Sequence, residues 1–258
     1  MTSRTRTIDE LHVEDEAAFR SIPHYAALKD LLRRTRYRFR CLGGASDGRW
    51  DRALLLNLTF WGGGDGDVLS DESIAADVVT HAAWHRLAAR DLARLGAEGS
   101  ADALLFGEAV ASGYDVYLIG QLLRAGSRSS FLDTQVAAMA EAAAAAGLGK
   151  QAFARLLQSI ATDPERAFED LRGLLFAAST SLLRARSLTA GLGLLEKLGR
   201  HRFAPLLHHY ELSTWVLYAR AYAPSSLRPV PAVRALDRRL RKRRDPTGYL
   251  TELLDSAP

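Results

Sequence analysis

Two histidines, His81 and His85, stand four positions apart, with only Ala82, Ala83 and Trp84 between them. Positions i and i+4 share one face of an α-helix, so both imidazoles are expected to point the same way. The apolar residues around them recur at helical spacing, which predicts that this face is turned toward the interior. Paired imidazoles on one helix face are typical ligands of zinc and iron.

Two carboxylates, Glu108 and Asp115, occupy a similar inward stripe on the next predicted helix, with Ser112 beside them. If the two helices pack antiparallel through these stripes, the imidazoles and one or two carboxylates converge. Buried polar groups without partners are costly. These side chains are therefore expected to bond to one another or to share a metal ion.

The segment that contains both histidines resembles the HExxH helix of zincin metallopeptidases. Residues 106–115 are similar to the second helix of the gluzincin group, and the resemblance covers about 50 of the 258 residues. It implies that His81, His85 and Glu108 hold one metal ion, zinc or iron. It also implies that Asp115 or Ser112 contacts the ligand side chains on the side away from the metal ion.

One residue departs from the HExxH pattern. Ala82 stands where the motif has its glutamate, which is the general base for the metal-bound water. Alanine has no ionisable group, so hydrolysis of peptides by that route is excluded and no catalytic residue is assigned. Two alternatives stay open for the histidines: a retained metal ion, or a metal-free buried cluster with the neighbouring carboxylates.

Residues 36–41 alternate strictly between arginine and a less polar residue, which is typical of a β-strand. One face carries Arg36, Arg38 and Arg40, and the other carries Tyr37, Phe39 and Cys41. Residues 51–61 also alternate, so the two segments are expected to pair as a hairpin. Together with Tyr37, the three arginines suit an acidic, extended peptide that adds a strand, although arginines also protect an exposed edge.

Beyond the glycine-rich residues 62–67, almost the whole chain has helical periodicity. Helices are predicted at about 70–95, 102–125, 130–146, 150–161, 164–185, 188–198, 203–222 and from 232 onward, besides a helical stretch at 12–34 that breaks near Pro23. The predicted fold class is mainly α with a small N-terminal β-hairpin (α+β) and a zincin-like helical body. Residues 1–66 form the front end and residues 67–258 the body of one compact unit.

The composition indicates in which compartment the protein is expected and which partners it is expected to have. Cys41 is the only cysteine, which excludes an internal disulfide, and the first 15 residues are polar. No run approaches the roughly 20 apolar residues of a membrane helix. A cytoplasmic protein without a membrane partner is therefore expected. The net charge of +4 comes with basic clusters at 33–40 and 234–244, but few aromatic residues accompany the second, so nucleic acid is an unlikely partner.

Two functions are expected. The first is a non-catalytic peptide-binding protein on a metallopeptidase-like scaffold. Degenerate proteins of this kind resemble the peptide-binding helpers of ribosomal peptide natural-product biosynthesis, and that resemblance implies an acidic precursor peptide as the partner. A modifying enzyme of the same pathway is a second expected partner. The alternative is a zinc- or iron-dependent enzyme that modifies a peptide with His81, His85 and Glu108. The first function needs no cofactor, and the second needs one metal ion.

Overall fold

The computed structural model describes residues 3–42, 67–97, 99–207, 209–222 and 227–255. Its strands are β1 (Ser3–Arg6), β2 (His12–Glu14), β3 (Phe39–Leu42), β4 (Val68–Leu69) and β5 (Ser73–Ala75). Its helices are α1 (Glu16–Phe19), α2 (Tyr25–Arg34), α3 (Ala76–Arg94), α4 (Ala101–Ala125), α5 (Ser130–Ala145), α6 (Lys150–Thr162), α7 (Pro164–Arg184), α8 (Leu188–Leu198), α9 (His209–Tyr222), α10 (Pro231–Leu240) and α11 (Pro246–Asp255). The fold is therefore mainly α with a small β part, as the sequence predicts.

The arginine-rich strand is shorter than predicted and lies in a different place. Regular pairing begins at Phe39, because Arg36 has a positive φ of 49° and ends the preceding helix with a turn. β3 is also the middle strand of its sheet, antiparallel to β1 on one side and parallel to β4 on the other. The prediction that this strand lies at an open edge of its sheet is therefore wrong. The hairpin partner predicted at 51–61 lies outside the described residues.

The alternation of side chains along this segment does hold. Phe39 and Cys41 are buried, and Tyr37 packs against the same core. Arg36 and Arg38 are exposed. The period of two thus identified the buried face correctly, although it could not place the strand within its sheet.

The N-terminal stretch predicted as a broken helix contains three elements. Residues 12–14 are β2, which pairs in parallel with β5, and only then do α1 and α2 follow. The same pairing shortens the histidine helix at its start. The helix was predicted from about residue 70, but Ser73–Ala75 is a strand and α3 begins at Ala76. Short strands of three residues carry little periodic signal, which explains both errors.

The central helix α4 was predicted almost to the residue, because strong signals mark both of its ends. The Ser100 side chain accepts a hydrogen bond from the Ala103 N–H, and Gly126 takes a left-handed φ of 61° at the C-terminus. Most of its surface is buried, and it packs against α3, α6, α7 and α9. α4 therefore forms the core of the helical body and places its own polar residues in the interior.

Two buried ion networks connect α4 and α7 with the C-terminal α10. Arg172 is fully buried and pairs with Glu169 at 2.6 Å and with Asp237 at 2.8 Å. Asp102, also fully buried, pairs with Arg184 at 2.7 Å and Arg234 at 3.1 Å. These pairs have hydrogen-bonding geometry, which offsets the cost of burying the charges. Part of the basic C-terminal cluster therefore serves packing.

The boundary predicted between residues 66 and 67 is crossed by close contacts. β2 pairs with β5, and α2 packs against α3. Side chains from both sides of that boundary belong to the same hydrophobic core. Among the helices of the described ranges, none combines the length and the apolar character needed to cross a membrane.

Candidate metal centre

The two helices that carry the predicted ligands pack directly against each other. His85 faces Glu108, and His81 faces Asp115. The residue numbers rise on one helix and fall along the other, so the helices are antiparallel at this contact. α3 ends at Arg94 and α4 begins at Ala101, so the two helices are close neighbours in the sequence.

His81, His85 and Glu108 converge on one point. The Nε2 atoms of the two imidazoles lie 3.2 Å apart, and Oε1 of Glu108 lies 3.5 Å from Nε2 of His85. One potential ligand atom from each of the three residues lies within 4.8 Å of the other two. Two nitrogens bound to one tetrahedral zinc at 2.0–2.1 Å are separated by about 3.3 Å, which is close to the spacing seen here.

Glu108 has few partners for a buried carboxylate. It is 7% exposed. Within the part of the chain that the structure describes, its one direct polar contact is the ion pair with His85. Burial raises the pKa of Glu108 to about 8 against the opposing effect of His81, and nearby carboxylates add smaller upward contributions. A buried carboxylate is normally satisfied by several hydrogen bonds, so this one is suited to a cation.

The two imidazoles differ in their electrostatic surroundings. Burial acts to lower the pKa of His81, but the Asp115 carboxylate outweighs it and the pKa is raised to about 9. Nδ1 of His81 lies 3.8 Å from Oδ2 of Asp115. The pKa of His85 is well below its usual value because of burial and the charge of His81. Asp115 thus lies on the Nδ1 side of the His81 ring, and Nε2 faces the shared point.

The environment of the three residues contains further carboxylates that the sequence analysis missed. Asp77 lies one turn before His81 on α3, and burial, followed by the repulsion of Asp115, raises its pKa to about 6. Asp67, before β4, and Glu211, on α9, also act electrostatically on Glu108. The i−4 spacing from His81 was a signal for Asp77. The other two come from distant parts of the chain, where no local signal existed.

Other predicted residues take different roles. Among the described residues, no hydrogen bond joins Ser112 to the three converging side chains, whereas Oδ2 of Asp115 lies 3.8 Å from Nδ1 of His81. Ala82 is 2% exposed and belongs to the hydrophobic core. Val78, three positions before His81 on α3, is 37% exposed.

The four residues predicted to bind a peptide are divided between two environments. Tyr37 donates its hydroxyl hydrogen to Oδ2 of Asp67 at 3.0 Å, and Arg40 lowers the pKa of the same carboxylate against the larger effect of burial. These two residues therefore lie close to the candidate centre. Arg36 and Arg38 are exposed and do not contact it within the described ranges.

The described residues contain a second group of possible metal ligands, which consists of His24, Glu165 and Asp245. Hydrogen bonds within the protein explain the positions of its two carboxylates. Glu165 accepts hydrogen bonds from the N–H and the hydroxyl of Thr247, and Asp245 accepts one from the Gly248 N–H. Both carboxylates thus stabilise the N-terminus of α11, where negative charge is favourable. This group is accounted for without a metal ion.

The chain was compared with models of protein families, with curated proteins and with solved structures. None of the three comparisons finds a match. The functional argument therefore depends on the geometry of the centre itself.

Proposed function

We propose that this protein binds one divalent transition-metal ion, zinc or iron, through His81, His85 and Glu108, and that it uses this ion to modify a peptide. The observation that carries the proposal is Glu108, a carboxylate that is 7% exposed and contacts only an imidazole among the described residues. A metal ion would supply the missing positive charge. The two Nε2 atoms, which lie within hydrogen-bonding distance of each other at 3.2 Å, are also spaced to bind one such ion.

The donor set suits both metals. Two imidazoles and one carboxylate are found in catalytic zinc sites and in the facial set of non-haem iron enzymes. Three protein ligands leave coordination positions for substrate or water. When bound, the ion would supply Lewis-acid chemistry, or oxidative chemistry if it is iron.

The protein's own residues define what the site can do. Asp115 would orient the His81 ring from its Nδ1 side, where its carboxylate lies 3.8 Å away. Glu108 and His85 are held in the packed interface between α3 and α4, which fixes their positions. The HExxH base is replaced by buried Ala82, so the proposal assigns the centre to a reaction other than hydrolysis through that glutamate. The peptide substrate is carried over from the resemblance to metallopeptidases.

Metal content of the purified protein tests the proposal. We expect roughly one zinc or iron ion per chain after expression in medium supplemented with each metal. Glu108→Ala and His85→Ala should each lose the ion, because a metal held by two remaining ligands is released during purification. His12→Ala, which removes an exposed imidazole on β2, should retain it. Metal-free wild-type protein under both conditions would contradict the proposal.

A second candidate function is a non-catalytic peptide-binding protein on the same scaffold. Buried Ala82 favours it, because no side chain there can take a proton from a bound water. Incubation with an unstructured peptide such as casein separates it from a conventional peptidase. We expect no cleavage with zinc-loaded protein. Cleavage that a chelator abolishes would contradict both functions.

A further inference from the structure

The short strand β2 has an open edge within the part of the chain that the structure describes. It pairs with β5 on one side and has no strand partner on the other. The His12 N–H donates to the carbonyl of Glu72 at 2.9 Å, so the backbone groups of His12 face β5. Because these groups alternate in direction along a strand, the N–H and the C=O of Val13 point toward the open edge. Among the described residues, no hydrogen bond satisfies either group.

The open edge of β2 forms one side of a groove of about 610 Å³. The facing side is built from Arg20, at the end of α1, and from Lys29 and Arg33 of α2. A volume of this size is typical of ligand-binding clefts. The backbone groups of Val13, which also lines the groove, are therefore within reach of a molecule that enters it.

The cations of this groove already have partners in the protein. Arg33 pairs with Asp9 at 2.6 Å, and Glu16 pairs with both Lys29 and Arg20. These ion pairs leave no cation of the facing side to attract an anionic ligand by itself. The groups of the groove that remain to be satisfied are those of the strand.

Glu14 differs from the paired acids. It follows Val13 on β2 and lines the same groove, its side chain is exposed, and none of the ion pairs within the described ranges includes it. Opposite charges that face each other across two strands stabilise their pairing. A strand that adds at Val13 places one of its side chains opposite Glu14, and a basic side chain is complementary there.

We infer that the open edge of β2 binds an extended peptide segment that carries a basic residue opposite Glu14. Main-chain hydrogen bonds to Val13 hold the segment, which is recognition by strand addition. The inference rests on the proposed function, because it names where the peptide docks and which charge it carries there. The basic residue distinguishes this segment from the acidic peptide expected at residues 36–41.

Three short peptides test the inference on the full chain. The first is acetyl-Thr-Lys-Val-Thr-Val-amide, which places lysine opposite Glu14 when its central valine pairs with Val13 in an antiparallel strand. The second has glutamate instead of lysine, and the third is the lysine peptide with an N-methyl group on its central valine. Affinities are measured from the broadening of the peptide proton resonances. The Val13 amide signal of isotope-labelled protein, assigned by its loss in Val13→Ala, locates the binding.

We expect the lysine peptide to shift the Val13 amide signal. The glutamate peptide should bind about 3-fold more weakly, since an exposed ion pair contributes little. The N-methyl peptide should bind about 10-fold more weakly than the lysine peptide, because it cannot donate to the Val13 carbonyl.

Variants of the strand examine the same contacts from the protein side. Val13→Pro removes the N–H at the open edge, a position where strands tolerate proline, and should weaken the lysine peptide about 10-fold. Val13→Ala keeps the N–H and should bind nearly as tightly as the wild type. If Val13→Pro fails to fold, the N-methyl peptide tests the same pairing on the wild type.

The charge is tested separately. Glu14→Gln should abolish the preference for lysine over glutamate, because it removes the carboxylate and preserves the shape of the side chain. Glu141→Gln makes the same change at an exposed position on α5 and should leave the preference unchanged.

Several results would overturn the inference. They are an unshifted Val13 signal with the lysine peptide, equal affinity of the lysine peptide and either of the other two, and equal behaviour of Glu14→Gln and Glu141→Gln. A Val13 signal that moves with protein concentration alone would place a second copy of the chain at this edge and overturn it as well. None of these measurements needs a metal ion, so their failure is distinct from a failure of the metal analysis.

Discussion

At the scale of single residues, the spacing of polar groups was the informative signal. His81 and His85 at i and i+4, and Glu108 and Asp115 on the facing stripe, were found because a helix places such positions on one side. The structure brings the first three within 4.8 Å of one another. Asp67 and Glu211 were missed because contacts between distant segments leave no periodic trace in the sequence.

The position of Ala82 yields a prediction at the same scale. Ala82 lies in the core, so Ala82→Glu would bury an ionisable carboxylate without a partner instead of restoring a base at the centre. We expect a loss of about 2–4 kcal/mol in the free energy of unfolding, measured by denaturant titration, and no gain of peptidase activity.

Ala89→Glu is the matched control, because Ala89 lies on the exposed face of the same helix. Its cost should be below about 0.5 kcal/mol. A stable Ala82→Glu protein that cleaves peptide would contradict this interpretation of the position.

At the scale of elements, helices were predicted well and short strands poorly. Caps and glycines mark the ends of α4, α5 and α8, where Ser100, Ser129 and Ser187 each accept a hydrogen bond from a backbone N–H. The place of β3 between β1 and β4 depends on pairing with residues more than 20 positions away. A pattern within residues 36–41 carries no information about those neighbours, which is why an edge strand was wrongly predicted.

The orientation of α4 depends on a close approach to neighbouring backbone. A Cβ atom at Gly120 would lie 2.7 Å from the carbonyl oxygen of Ile160 and 3.0 Å from Pro164. Gly120→Ala should therefore push α4 away from the start of α7 and cost about 1–3 kcal/mol of unfolding free energy. Thermal denaturation of the variant checks this.

Gly107, in the same helix, provides the contrast. A Cβ atom there would lie 3.7 Å from Ala88 and from Nδ1 of His85, which is ordinary contact. Because alanine favours a helix interior over glycine by about 1 kcal/mol, Gly107→Ala should be neutral or stabilising. Equal destabilisation by both substitutions would show that the contact at Gly120 does not position α4.

At the scale of the whole molecule, buried ion pairs join helices that are distant in the sequence. Arg172 joins α7 to α10 through Asp237 and lies 5.4 Å from the ring centre of Phe106 on α4. Arg172→Met would leave the carboxylates of Glu169 and Asp237 buried with less compensation. We expect a loss of about 3–5 kcal/mol in unfolding free energy.

Arg166→Met tests the specificity of that effect on the same helix. Arg166 forms an ion pair with Asp170, but its side chain is 67% exposed. Removing this pair should cost less than about 1 kcal/mol. Similar losses for both variants would contradict the role of the buried network. The composition of the chain could not distinguish these two arginines, because their difference is one of burial.

The metal centre is the central claim, and its most direct test is anomalous diffraction from crystals of the metal-loaded protein, recorded on both sides of the absorption edge of the bound metal. The account predicts one strong peak between His81, His85 and Glu108, about 2.0–2.2 Å from each ligand atom. It predicts no comparable peak at His24, Glu165 and Asp245. A stoichiometric metal ion located there or elsewhere, with no peak between the two histidines, would contradict the account.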